Sequence, residues 1–185
     1  MTEALLFVFS TVLGIFSLLL ILRFYFQFVS APYGHPITSF IFSVTNLPVN
    51  SIKKLVPGIF GYEIASIITA WALETLLIVG TRSILGYGFG ISAFLVFLAA
   101  IAICKTLVYI ILIAVFIQAI LSWINPYSPM MTFLQAMTAP FLSRLQKKIP
   151  LVGGIDLSPL VLIFVCQLVL IWPIGGLEFY LSTRL

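Results

Sequence analysis

Hydropathy along the chain rises into four long apolar spans, near residues 4–29, 62–81, 101–124 and 157–177. Each is long enough to cross a hydrocarbon core of about 30 Å as a helix. Two loops of about 30 residues, mixed in polarity, separate the first span from the second and the third from the fourth. After Pro36, Ile37, Phe40, Ile41 and Val44 fall at helical spacing against Thr38, Ser39, Ser43 and Thr45. Met130, Phe133, Leu134 and Met137 repeat the pattern against Thr132, Gln135 and Thr138, behind the start signal Ser128-Pro129. Pro48 and Pro140 predict an interruption in each of these helices. A second short helix is expected after Pro140, with Arg144, Lys147 and Lys148 on one face and Leu142, Leu145 and Ile149 around the other. Helices of this kind suit a membrane surface, with the apolar stripe in the acyl boundary and the cations reaching up to phosphates. Residues 91–124 as one helix would be about 51 Å long, so a break or an outer-surface helix near Lys105 is expected.

Composition turns this pattern into a statement about solvent. Apolar residues make up 62% of the 185, against 9 Lys and Arg and 5 Asp and Glu, and mean hydropathy is +1.25. A water-soluble fold cannot hide that much apolar surface, so the chain is read as an all-α integral membrane protein. The net charge of +4 then concerns anionic lipid headgroups, and no nucleic-acid partner is expected. Cys104 and Cys166 lie inside apolar runs and read as small hydrophobic side chains, with no disulfide framework and no metal site. Val29-Ser30-Ala31 resembles a signal-peptide cleavage site, but the acidic start Met1-Thr2-Glu3 and the length of the first run favour a retained anchor.

The two loops correspond residue by residue. Pro32-Tyr33 matches Pro126-Tyr127, Pro36 matches Pro129, and Thr45-Asn46-Leu47-Pro48 matches Met137-Thr138-Ala139-Pro140. Lys53-Lys54 matches Lys147-Lys148, Pro57 matches Pro150, and Gly61-Tyr62-Glu63 matches Gly154-Ile155-Asp156. A tandem repeat is therefore expected: residues 1–85, a linker or outer-surface segment at 86–104, and residues 105–185. The stretches "ILSWINPYSP", "TAPFLSRLQKKIP" and "GGIDLSPLVL" resemble the YggT (YlmG-related) family of bacterial and plastid membrane proteins. The resemblance covers nearly the whole chain and implies a small multi-pass inner-membrane protein without known catalysis. It implies links to osmotic-stress tolerance, potassium uptake, cell division and organelle biogenesis. The chain departs from the family pattern at Gln118, where a basic residue is often found; Arg23 holds roughly that place in the first half.

Charge sets the expected orientation. Arg23, Lys53, Lys54, Arg144, Lys147 and Lys148 fall on one side, and Arg82 and Arg184 on the other. That bias places both loops in the cytoplasm of a bacterial cell and both termini outside, giving two parallel repeats of two spans each. Lys53, Lys54, Arg144, Lys147 and Lys148 are then the candidates for contact with anionic lipid or with membrane or cytoplasmic protein partners, a homo-oligomer among them. Glu63, Asp156 and Ser158 stand where the second and fourth spans begin. A carboxylate there can accept backbone N–H groups and face the helix dipole, so capping and loop closure, with Lys147 and Lys148 in reach of Asp156, are favoured over a proton or cation relay.

Glu74, Lys105 and Gln167 are the candidate intramembrane polar residues. Glu74 lies 11 residues past Glu63 and Gln167 lies 11 past Asp156, which puts both about 16 Å into the core. Lys105 is the obvious partner for Glu74, although its depth differs by roughly 10 Å. Such residues read as interhelical hydrogen-bond contacts or as the wall of a transport path. "LGYGFG" at 85–90 resembles a potassium filter only in its glycines, which a turn explains. The lone His35 and the absence of GxxxxGK, CxxC and HExxH argue against an enzyme, and no cofactor is implied. The expected function is a non-enzymatic scaffold or assembly factor, with a component of potassium or osmolyte transport as the alternative.

Overall fold

The computed structural model describes residues 2–54, 63–149 and 156–183, and every described element is helical. The order is α1 (Thr2–Phe28), α2 (Pro36–Lys53), α3 (Ile64–Ile84), α4 (Ala93–Ile124), α5 (Pro129–Gln146), α6 (Ser158–Val169), a π-helical turn (Leu170–Ile174) and α7 (Gly175–Ser182). Among the described residues, four helical segments are long and apolar enough to span a membrane: α1, α3, α4, and α6 through α7 as one run, Ser158–Ser182. The expected repeat glycines, Tyr62, Pro57, Pro150 and Arg184 lie outside the described residues.

The spans pack in a row, α1 on α3, α3 on α4 and α4 on α6. The shorter helices α2 and α5 lie at one end of this row. There Tyr25 Oη donates to the Met137 carbonyl at 2.5 Å, Phe26 packs edge-on against Phe133 at 5.4 Å, and His35 stacks on the same Phe133 at 4.2 Å. Leu20, Ile21, Tyr25, Ile41, Ala65, Ala70, Ile103, Ala114, Phe133 and Met137 form the main core, which therefore draws on both halves of the chain.

Each short helix starts as its sequence directs. Pro36 and Pro129 hold the first helical positions, where a missing N–H costs nothing, and His35 and Ser128 accept the N–H groups of Ile37 and Met131. Neither helix breaks at its internal proline, contrary to expectation. α2 runs through Pro48 to Lys53, and α5 runs through Pro140 to Gln146, leaving no separate second helix. Burial on both sides of the proline explains this: Thr45 and Val49 flank Pro48, Thr138 and Leu142 flank Pro140, and all four are inaccessible or nearly so. An interior proline costs about 3 kcal/mol, and two buried turns on either side offset it.

The faces also differ from expectation. α2 turns Thr38, Ile41, Thr45 and Val49 inward and leaves Ile37, Phe40, Val44 and Leu47 outward. α5 turns most of its apolar stripe inward, as Met131, Phe133, Leu134, Met137 and Leu142, so its outer face is polar and cationic and does not carry a free apolar stripe.

α4 is continuous through Lys105, where a break was expected. Its 32 residues contain no glycine or proline, Ser92 caps the start by accepting the Leu95 N–H, and Leu95, Ala99 and Ile103 are buried. Residues 93–104 thus belong to this helix. The link before it is a turn in which Gly86 and Gly88 both adopt positive φ, 89° and 81°, a conformation open to glycine. The Ser83 hydroxyl donates to the Gly88 carbonyl, which fixes these glycines as turn residues. Trp71 bridges α3 to α4 by donating to the Val96 carbonyl at 3.0 Å.

Candidate functional site

The densest polar cluster centres on Arg23, near the end of α1. Its side chain is 3% exposed, and a buried guanidinium requires every donor answered. Nε donates to Glu63 Oε2 at 2.9 Å, and Nη2 meets the same oxygen at 2.7 Å. Nη1 donates to Asn46 Oδ1 at 2.8 Å, Thr45 Oγ1 at 3.0 Å and the Phe42 carbonyl at 3.3 Å, and the guanidinium lies 4.6 Å over the Phe42 ring. Gln27, one turn beyond Arg23, donates to Glu63 Oε2 and accepts the Glu63 N–H, both at 3.0 Å. Lys53, at the end of α2, closes the set at 2.8 Å from Glu63 Oε1. One carboxylate therefore ties α1, the end of α2 and the start of α3 together.

The Glu63 side chain does not cap α3; it accepts hydrogen bonds from α1 and α2 instead. Burial by itself would push its carboxyl up; hydrogen bonds from Lys53 and Arg23, the Arg23 charge and the Gln27 hydrogen bond hold it below the ordinary carboxylate value. From the sequence, Arg23 carries an orientation role and holds the family's basic place, Thr45 and Asn46 enter only through helical spacing and the repeat, and Gln27 is passed over. The signal that could have found them is the pair Arg23 and Gln27, one turn apart on a helix facing the acid Glu63.

The second half is built differently. Asp156 Oδ1 accepts the Ser158 N–H at 2.8 Å, which caps the start of α6, and Oδ2 accepts from Gln146 Nε2 at 2.7 Å. Burial opposes the charge, yet hydrogen bonds from Ser158 and Gln146 hold this carboxyl below its usual range. Gln146 takes the place beside Asp156 expected for Lys147 or Lys148. Those two, with Arg144 and Lys54, are exposed and make no ion pair among the described residues. Ser158 itself is fully buried. Gln118 is buried, and its Oε1 accepts a short hydrogen bond from Thr138. Between α4, α5 and α6 lies a cavity of about 610 Å³, with Gln118, Ser122, Gln135, Gln146 and Asp156 on its polar side.

The intramembrane polar residues separate. Glu74 accepts from Ser17 Oγ at 2.6 Å. Ser17 lies 11 residues before the end of α1, matching Glu74's depth of about 16 Å. Lys105 pairs with Glu178 at 2.6 Å and not with Glu74. Depth explains the choice: Lys105 is 19 residues from the end of α4 and Glu178 is 20 from the start of α6, about 28 and 30 Å. Gln167 is exposed on the outer side of α6, without a hydrogen bond among the described residues.

A family model described as CCB3/YggT matches residues 2–84 and 88–177. Curated relatives include an uncharacterized protein of Pseudomonas aeruginosa, 29% identical over 164 residues, covering 86% of this chain and 83% of the relative. Another, from the proC 3′ region of Vibrio alginolyticus, is 28% identical over 158 residues, covering 84% and 85%. The uncharacterized protein YggT of Escherichia coli K12 is 26% identical over 167 residues, covering 88% and 85%. No solved structure matches the chain.

Proposed function

The chain belongs to the CCB3/YggT family, and from that premise we propose that it is a non-enzymatic inner-membrane scaffold or assembly factor whose α2 and α5 gather lipid or protein partners at the cytoplasmic face. In this reading the halves are two parallel repeats, the termini lie outside, and the activity bears on osmotic-stress tolerance or cell division. The observation that carries it is the outer surface at one end of the molecule. α2 leaves Ile37, Phe40, Val44 and Leu47 outward, and Leu47 is 82% exposed. Lys54, just past the end of α2, and Arg144, Lys147 and Lys148, at the end of α5, are exposed without ion-pair partners among the described residues. An outward apolar row on α2 and unneutralised cations at the ends of both short helices fit an anionic leaflet or an acidic protein surface.

The transport alternative draws on Glu74 and Gln167 as two walls of one path. Glu74 is engaged with Ser17 between α1 and α3, while Gln167 faces outward from α6, so this arrangement lends it no support. The test is the triple change of Arg144, Lys147 and Lys148 to Gln. Association with anionic vesicles should weaken by up to about 3 kcal/mol, and by less at high salt. A spin label at Ser143 whose depth does not change would count against a lipid-binding role.

A further inference from the structure

The same corner of each half is filled differently. In the first, Arg23 and Gln27 from α1 converge with Glu63 from the start of α3. The corresponding residues in the second half are Gln118 and Ser122, likewise four apart on α4, and Asp156 before α6. Gln118 precedes Pro126 by 8 residues where Arg23 precedes Pro32 by 9, so the match holds to within one position. Every one of the three side chains is shorter in the second half. Where the first half packs a guanidinium, the second has the cavity of about 610 Å³. That volume lies within the range of about 300–1,000 Å³ usual for sites that take small molecules or headgroups.

The chemistry of the wall is one-sided. Asp156, three glutamines and Ser122 face the space, and no lysine or arginine lines it among the described residues. A carboxylate offers about four acceptor positions, and Ser158 and Gln146 occupy two of Asp156's. The remainder is suited to a cation with several N–H donors. The rim is apolar: Trp123 and Leu160 border the cavity, are 82% and 66% exposed, and continue into the outer faces of α4 and α6, two of the apolar spans. A ligand entering here would have its charged end among amides and its apolar end beside the spans.

We infer that this cavity binds the ammonium headgroup of a membrane phospholipid, which takes the place that the Arg23 guanidinium takes in the first half. The inference is independent of which partner the cationic outer surface gathers.

The full chain is reconstituted in nanodiscs holding equal mole fractions of phosphatidylethanolamine and phosphatidylglycerol, extracted into mild detergent, and its retained lipid counted by native mass spectrometry. Asp156→Asn removes the charge, and Gln118→Arg fills the cavity with a guanidinium from the chain itself. Each should lower retention of the ethanolamine lipid about tenfold, the scale of one charge-assisted hydrogen bond, and leave phosphatidylglycerol unchanged. Circular dichroism checks that both variants remain helical, and Asp156→Asn alone decides the matter if Gln118→Arg does not fold. Unchanged retention, or an equal fall for both lipids, overturns the inference. So does displacement of the lipid by an equal concentration of glycerophosphoethanolamine, which would assign the cavity to a soluble amine. Capture of an arginine-containing peptide without any lipid preference would overturn it too, assigning the cavity to a protein's basic side chain.

Discussion

Removing Arg23 would leave the Glu63 carboxylate in a largely closed site with only Lys53 and Gln27 to answer it, and would leave Thr45 and Asn46 facing a void. Breaking one side of a buried ion pair costs about 3–5 kcal/mol, so Arg23→Ala should lower stability in detergent by that order. Arg23→Lys should recover only part, because an ammonium cannot meet Glu63, Asn46 and the Phe42 carbonyl with one planar fork. The pH dependence follows from Glu63, whose folded pKa lies below its ordinary 4.5. Its contribution is fully present above that value and is lost as pH falls through the lower folded pKa. Melting followed against pH should show a constant gap between wild type and Glu63→Gln from neutrality to about pH 5, narrowing at more acid pH. A gap that widened on acidification would contradict the arrangement.

At the scale of elements, the prolines of α2 and α5 are the informative places. Hydrogen exchange should protect the amides of residues 49–53 as well as those of 41–47, because one helix carries both. Rapid exchange beyond Pro48 would restore the two-piece helix that the sequence suggests. The spans were legible because an apolar run needs nothing beyond itself to declare its solvent. The proline helices were not, since local preference predicts a break and the opposing term, burial of Val49 and Leu142, comes from other elements. The same limit hid the inward face of α2. Thr45 looks like a surface residue until Arg23, 22 positions earlier, arrives to donate to it. Lys105 illustrates it over a longer range, because its partner Glu178 lies 73 residues away and only matched depths select it.

For the whole molecule, α2 and α5 share one end, so a single topology experiment places both. With Cys104 and Cys166 first replaced by serine, cysteines at Ser51, Ser143 and Thr183, all exposed, can be probed with an impermeant thiol reagent on intact cells. Both loop sites should be shielded and Thr183 should react, given six cations on the loop side and two on the other. Labelling of either loop site would reverse the assignment of faces. The similar loops and their matching acids suggest a repeat in the sequence, whereas the different surroundings of Glu63 and Asp156 were not readable there. Those surroundings depend on where Gln118 and Ser122 point, which spacing alone leaves open.

The π-helical turn at Leu170–Ile174 has a consequence for phase along the fourth span. Its inward residues, Ser158, Leu162, Cys166, Leu170 and Ile174, recur every four positions, and Glu178 continues the series. A regular α-helix advances about 40° too far with each four-residue step, so five steps would carry Glu178 about 200° around, to the face turned away from α4. One wide turn, inserted where Pro173 cannot donate to the ladder, takes back about 100° of that drift. The last two turns of the helix are thereby brought about halfway back toward the row that touches α4, and Glu178 meets Lys105.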